Sequence, residues 1–483
     1  MNPIYLEALV VALGILLLMA EAFLPSGRKN WIAYTGVAGL LGVFALTFQA
    51  NPGLLNPEAG YASLYVADSL AIFFKQFALL VTAFILLLAV EYSPVLEKYI
   101  PSAKQGSGTG EYYALAIFVC AGMMWMVSAV DFILIFVSLE LVTITFYILV
   151  AYMRRSGTSL EAGVKYLILG ALSTGFIVYG ITWVFGATGS TNLQEISNIL
   201  PTLPETSYPA LLFGLALILV SLGFKVAAVP FQFWIPDVYQ GSPTPTMAFL
   251  SVGSKAAGFV VLLRVLEPFF AVPALSHKLL QVLVVLAAAT MILGNLAALP
   301  QTNFKRLLAY SSIAHAGYLL MGVASIGSLL AGPAIGFYLT AYALMTLLAL
   351  AVLIIASRIV GGDNISDFNG LGKRSPFLAA LMTISVLALA GLPFTAGFFG
   401  KFFIFLAAAQ QGLTLLIVIG IIAVGCGFYY YLKIVRAMYW MSPKDIETNE
   451  VHVSPLLSIV LLLLVVAIIV LGINPSPILA IFY

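Results

Sequence analysis

Apolar runs of about twenty residues recur from one end of this chain to the other, and they decide its solvent. A helix that long crosses the roughly 30 Å hydrocarbon core of a bilayer. Lipid offers the backbone no hydrogen-bond partner, so a chain of such runs folds as an all-α polytopic membrane protein. Pro, Gly, Asn or charge separates the runs into about fourteen spans: 4–24, 31–49, 66–90, 112–130, 131–152, 162–186, 209–235, 243–266, 279–299, 304–324, 329–358, 376–409, 412–440 and 454–473. Composition agrees. The 483 residues are 62% hydrophobic and only 8% charged, against roughly 25% charged in soluble domains. The N-terminal stretch MNPIYLEALVVALGILLLMAEAF has no basic leader and no A-x-A cleavage site, and is read as the first span.

Loop charge sets the expected orientation. With the loops numbered alternately, fourteen Lys and Arg fall on one side, among them Arg28, Lys104, Arg154, Arg306 and Lys444, and only Arg264 and Lys278 on the other. The first side is expected to be cytoplasmic, and both termini outer.

The remaining five lysines, Lys75, Lys165, Lys225, Lys255 and Lys401, lie inside spans, as do Glu140 and His315. A charge at bilayer depth costs roughly 2.5–3.5 kcal/mol on insertion scales, so such groups face a bundle interior or water and are functional candidates. Their bland readings differ. Lys165, near a span start after Glu161, can snorkel to the interface. Lys75 can be a structural partner of Asp68 or Glu91. His315 could pass a proton with Ser311 and Ser312 as hydrogen-bond partners, but taken alone it reads as a hydrogen-bonded core residue. Arg264 and Glu267 look like interface anchors. Trp234, Tyr239 and Tyr429 to Tyr431 read as packing or interfacial aromatics rather than a quinone site.

The seventh and twelfth spans are expected to be broken. Pro230 and Pro236 interrupt the seventh and Pro393 the twelfth, each near a lysine, and the freed backbone groups need polar company. A buried lysine beside water there can exchange protons. An opposing carboxylate at Glu140 would hold Lys225 charged while burial opposes it, which makes a switch of one pair. Small residues around Lys255, from Ser251 to Gly258, permit close packing. Spacing suggests a repeat: Glu140 to Lys225 is 85 residues and His315 to Lys401 is 86. Five helices per copy would invert the second relative to the first. The expected organisation is flanking helices over 1–110, one five-helix repeat over 111–270, its inverted copy over 271–441 and a last helix within 442–483. Cys120 and Cys426 lie in apolar runs outside any CxxC pattern, and no GxGxxG or P-loop follows a strand-like segment. Zinc, iron–sulfur, disulfide and nucleotide chemistry are therefore not expected on this chain, and neither is nucleic-acid binding.

The stretches GFKVAAVPFQFWIPDVYQGSPTPT, SKAAG, LELVTITFYILVAYMRRSGTSLEAGVKYLILGALSTG, LPQTNFKRLLAYSSIAHAGYLLMG and LALAGLPFTAGFFGKFFIF resemble the antiporter-like membrane subunits of respiratory complex I, the proton-pumping NADH:quinone oxidoreductase. The likeness runs from about 110 to 440, and the fourteen-span layout covers the chain. PDVYQGSPTPT, SLEAGVKYLILG and a lysine rather than a glutamate at 401 resemble one member of that family more than the others. The resemblance implies two inverted five-helix bundles in a bacterial plasma (inner) membrane, beside other membrane-arm subunits. It implies that Glu140 pairs with Lys225, that Lys255 links two half-channels, that Lys401 ends the row, and that Lys165 and His315 are accessory. It also implies that NADH, flavin, iron–sulfur clusters and quinone belong to partner subunits. A multi-subunit cation/proton antiporter shares the fold and is the alternative. A solute carrier would instead need a roomy site with convergent contacts.

Overall fold

The computed structural model describes residues 2–50, 63–100, 108–442 and 454–482; Lys104 and Lys444 lie outside the described residues. A helix occupies every expected span. The first six are α1 (Ile4–Phe23), α2 (Asn30–Thr47), α3 (Ser69–Tyr99), α4 (Thr109–Ser128), α5 (Phe132–Val150) and α6 (Gly157–Thr188). A short α7 (Leu193–Ile199) precedes the seventh span, which is α8 (Tyr208–Val226), a break, and α9 (Ile235–Gly241). The eighth is α10 (Thr244–Phe249), a π-helical turn over Leu250–Ser254, and α11 (Lys255–Phe270). Then come α12 (Pro273–Ala298), α13 (Phe304–Val323), α14 (Ala331–Val360) and a short α15 (Leu371–Arg374). The twelfth span is split into α16 (Pro376–Ala390) and α17 (Ala396–Gln410), before α18 (Thr414–Trp440) and α19 (Pro455–Ile473). Among the described residues, twelve spans are individually long and apolar enough to cross a membrane. The other two of the fourteen are α13, with Lys305, Arg306 and His315, and the divided twelfth span.

Short polar side chains start these helices. Asp68 accepts from the Ala71 amide, Asp131 from Ile133, Ser156 from Ser159 and Asn303 from Arg306, each satisfying an amide that the helix itself leaves unpaired. Pro243 precedes α10 and Pro245 sits in its first turn, where a missing amide costs nothing. Pro236 likewise occupies the first turn of α9. It therefore starts the second piece of the seventh span, where a bend at Pro236 was expected; the break itself runs through Pro230.

The chain forms two compact units, Met1–Val226 with Gly241–Gln281, and Ala227–Gln240 with Val282–Tyr483. In the first, α4 and the α10–α11 rod are enclosed while α6 turns most of its surface outward. In that unit α6 and α8 cross at glycines: a Cβ on Gly180 would sit 2.7 Å from the Gly214 carbonyl oxygen. Only hydrogen at both positions permits this approach. In the second unit α14 is enclosed and α18 and α19 are mostly exposed. There a Cβ on Gly294 of α12 would lie 2.5 Å from the Ala314 amide nitrogen of α13.

One local motif occurs once in each unit. Asp131, the N-cap of α5, makes an antiparallel bridge with Asn192, the N-cap of α7; Asn303, the N-cap of α13, makes one with Asn364, the N-cap of a 3-10 turn over Ile365–Phe368. Both pairs are offset by 172 residues (303 − 131 and 364 − 192). In that register Thr143 corresponds in sequence to His315 and Glu140 to Ser312. The spacing match of 85 and 86 residues thus joined Glu140 and His315 one helical turn out of step.

Candidate functional site

Both helix breaks begin with a residue in the left-handed region directly after a helix end, Ala227 at φ 75° and Gly391 at φ 96°. A helix end leaves its last carbonyls unpaired and carries a partial negative charge. A lysine stands at each. Lys225 lies in the last turn of α8 by sequence. Lys401 comes from α17 and reaches back over the break, donating to the Leu389 and Ala390 carbonyl oxygens at 2.6 and 2.7 Å. The lysine itself is the polar company that this helix end requires. Its ammonium also lies 5.6 Å from the centre of the Tyr318 ring, within reach of a cation–π attraction.

In the first unit, buried Lys225 donates to Thr143 Oγ1 at 2.8 Å. Glu140, half-buried one turn earlier on α5, accepts from Thr174 Oγ1 of α6 at 2.7 Å. The expected direct ion pair between Glu140 and Lys225 is absent among the described residues, because each has taken a threonine. The stem of Lys225 runs over α11 where a Cβ on Gly258 would meet it at 3.3 Å. Gly258 is one turn on from Lys255, which is buried at the end of the π-helical turn. The small residues around Lys255 are all buried, which is the close packing their size implies. Lys165 is placed elsewhere: its side chain is 42% exposed on α6 and pairs with Glu161 at 2.7 Å.

In the second unit, buried His315 lies between two tyrosines, with Nδ1 2.7 Å from the Tyr338 hydroxyl and Nε2 3.3 Å from that of Tyr431. Tyr431 also bonds Ser311, and Ser312 accepts from Tyr342 at 3.0 Å. Tyr239 and Tyr430 are buried too, and Tyr430 donates to Asn295 at 3.2 Å, whereas Tyr429 is exposed. Sequence reasoning placed these aromatics as packing and missed their hydroxyls. The adjacent Tyr430 and Tyr431 in an apolar run were the available signal, since a buried phenol needs a partner.

Two further charges differ from expectation. Lys75 pairs with Glu7 of α1 at 2.8 Å, both fully buried, not with Asp68 or Glu91. Arg264 is no interface anchor: it is buried, donates to the Val127 carbonyl at 2.9 Å, and grips both Asp68 oxygens at 2.7 and 3.0 Å. Burial pushes the Asp68 carboxyl up, but the Arg264 hydrogen bonds and charge outweigh it and hold it below the ordinary carboxylate range. Glu7 escaped the sequence reading because it stands only four residues into the first span.

Comparison with known proteins fixes the family. Residues 129–427 match the family model described as "NADH:quinone oxidoreductase/Mrp antiporter, TM". A protein named NADH-quinone oxidoreductase subunit N from Moorella thermoacetica is 40% identical over 471 residues, covering 98% of this chain and 95% of that one. The chain belongs to the subunit N family of NADH-quinone oxidoreductases. A chain in the structure of respiratory complex I from Thermus thermophilus is 32% identical, with a TM-score of 0.79 and 98% of both chains covered. A chain of the Mrp complex from Dietzia sp. is 20% identical with a TM-score of 0.77, covering 99% of this chain and 95% of that one; that likeness is one of fold alone.

Proposed function

We propose that this chain is a proton-translocating membrane subunit of NADH:quinone oxidoreductase, working through the lysines at its two helix breaks. NADH, flavin, iron–sulfur clusters and quinone belong to partner subunits in this reading, and their redox chemistry drives the cycle. The chain sits beside other membrane-arm subunits in a bacterial plasma membrane with both termini outside, as the loop charges suggest. Residues 111–270 and 271–441 act as two inverted copies, a reading supported by the bridge motif that recurs at 172 residues.

The observation that carries the reading is the arrangement of partners around Lys225. The lysine has Thr143 within hydrogen-bond distance and Glu140 one turn away, while Thr174 competes for the carboxylate. When Glu140 turns from Thr174 to Lys225, the ion pair holds the lysine charged. When it turns back, only a neutral hydroxyl remains, and the proton leaves. A pair of unit charges about 4 Å apart interacts by about 4 kcal/mol at an effective dielectric near 20. Moving one charge against the membrane potential takes about 2.3 kcal/mol per 100 mV. Making and breaking one such pair is therefore of the size required. In the second unit His315 and its tyrosines act as the accessory relay beside Lys401.

Lys225→Ala and Glu140→Ala are expected to leave the complex assembled while proton pumping and coupled quinone reduction fall. Full pumping by both variants in assembled complex overturns the reading. Sodium-dependent exchange with no redox donor present would instead favour the antiporter alternative.

A further inference from the structure

We infer that Glu7, Tyr65 and Lys75 form a second proton-exchange site, opening to the outer face through a cavity in the first unit. Glu7 stands in the first turn of α1, and Lys75 in the second turn of α3. Their ion pair is 2.8 Å long and fully buried. Tyr65 joins them: its hydroxyl donates to Glu7 Oε1 at 3.1 Å and accepts from Lys75 Nζ. Tyr65 also lines an open cavity of about 780 Å³, together with Asp68, Asn192, Glu195, Arg264 and Glu267. Every lining segment precedes an odd-numbered span or follows an even-numbered one, so the cavity belongs to the membrane face of the N-terminus. The inference rests on the proposed function both for the outward direction of that face and for proton transport by the chain.

A buried ion pair is poor evidence of stabilisation, because well-packed apolar residues serve as well or better. Ionisable groups fully buried within membrane spans are instead the usual mark of an ion path, even where, as here, they stand near the span ends. At rest the hydrogen-bond chain runs from Lys75 through Tyr65 to Glu7. Release starts when the Tyr65 hydroxyl turns from Glu7 toward a water in the cavity: its O–H bond breaks, forming hydronium, while an N–H proton of Lys75 moves to the Tyr65 oxygen. Neutral Lys75 and the Glu7 carboxylate remain, and one proton has left. A proton taken up on the lysine lone pair restores the ion pair. The other charges facing the triad are Asp68 and Arg264, which neutralise each other at 2.7 Å.

The test uses the whole complex in vesicles whose lumen faces the outer side and holds a pH dye. Glu7→Gln with Lys75→Met removes both charges together, so no unpaired charge is left buried. Assembly and electron transfer are expected to be retained, and the luminal proton-release phase to slow at least about 100-fold, the usual scale of losing a positioned acid–base group. Release at the parent rate overturns the site and leaves the pair a structural one. If the double variant does not assemble, Tyr65→Phe deletes only the linking hydroxyl: slowed release supports the site, unchanged release overturns it. Lys225→Ala in the same vesicles separates the two ideas. Slowed release there with a normal double variant removes this site alone, whereas normal release in both removes the proposed function as well.

Discussion

At the scale of single residues, the Lys225 ammonium meets the Thr143 hydroxyl at 2.8 Å, while the Glu140 carboxylate is held by Thr174. Lys225 was legible as a candidate because a charge in an apolar run is costly, but its partner was not. Glu140 and Thr143 share one face of α5, and sequence cannot say which of two positions a turn apart a flexible ammonium will reach. Thr143→Val keeps the volume and removes the acceptor. It is expected to drive Lys225 toward Glu140 and to slow pumping while the complex assembles, as measured by protons moved per electron pair. A second residue-scale outcome concerns Asp68. Its folded carboxyl is held below the ordinary range, so its stabilisation is fully present above the unfolded value of about 3.9 and is lost as pH falls through the lower folded value. Acid denaturation of the purified complex should show this loss below about pH 4, and Asp68→Asn should abolish that contribution. A fall in stability on raising pH through this range would contradict the sign.

At the scale of elements, the helix breaks were readable from proline and glycine and the span limits from Pro, Gly, Asn or charge, while the Asp, Ser and Asn caps that start the helices emerged only in the structure. What the prolines do was only partly readable. Pro230 lies in the break, whereas Pro236 begins α9, because a proline that ends one helix looks in sequence like one that starts the next. The lysine of the twelfth span was found without its target, since it reaches eleven residues back to Ala390. Gly391 makes that reach possible. It holds φ 96°, and a Cβ there would lie 3.1 Å from Lys401 Nζ. Gly391→Ala is expected to cost about 1–2 kcal/mol in backbone strain and to push the ammonium off the carbonyls. Thermal unfolding and pumping of the variant check both effects, and an unchanged melting point with normal pumping would contradict them.

At the scale of the whole molecule, the span count and the all-helical class followed from the apolar runs, because lipid leaves the backbone few choices. The repeat was legible only in outline. Spacing between charged residues gave 85 and 86, yet the bridges at Asp131–Asn192 and Asn303–Asn364 set the register one turn away, since functional residues can drift along a helix while a cap and its bridge cannot. The buried Glu7–Lys75 pair joins residues 68 apart (75 − 7) on different helices, a pairing no local pattern encodes. The claim on which the rest depends is that water reaches the lysines at the two breaks and serves Lys255 between them in sequence. A density map of the assembled complex that resolves ordered water tests this most directly. The account predicts water within hydrogen-bond distance of Lys225, Lys255 and Lys401 in at least one state of the cycle. Dry packing around all three ammonium groups in every state would contradict it.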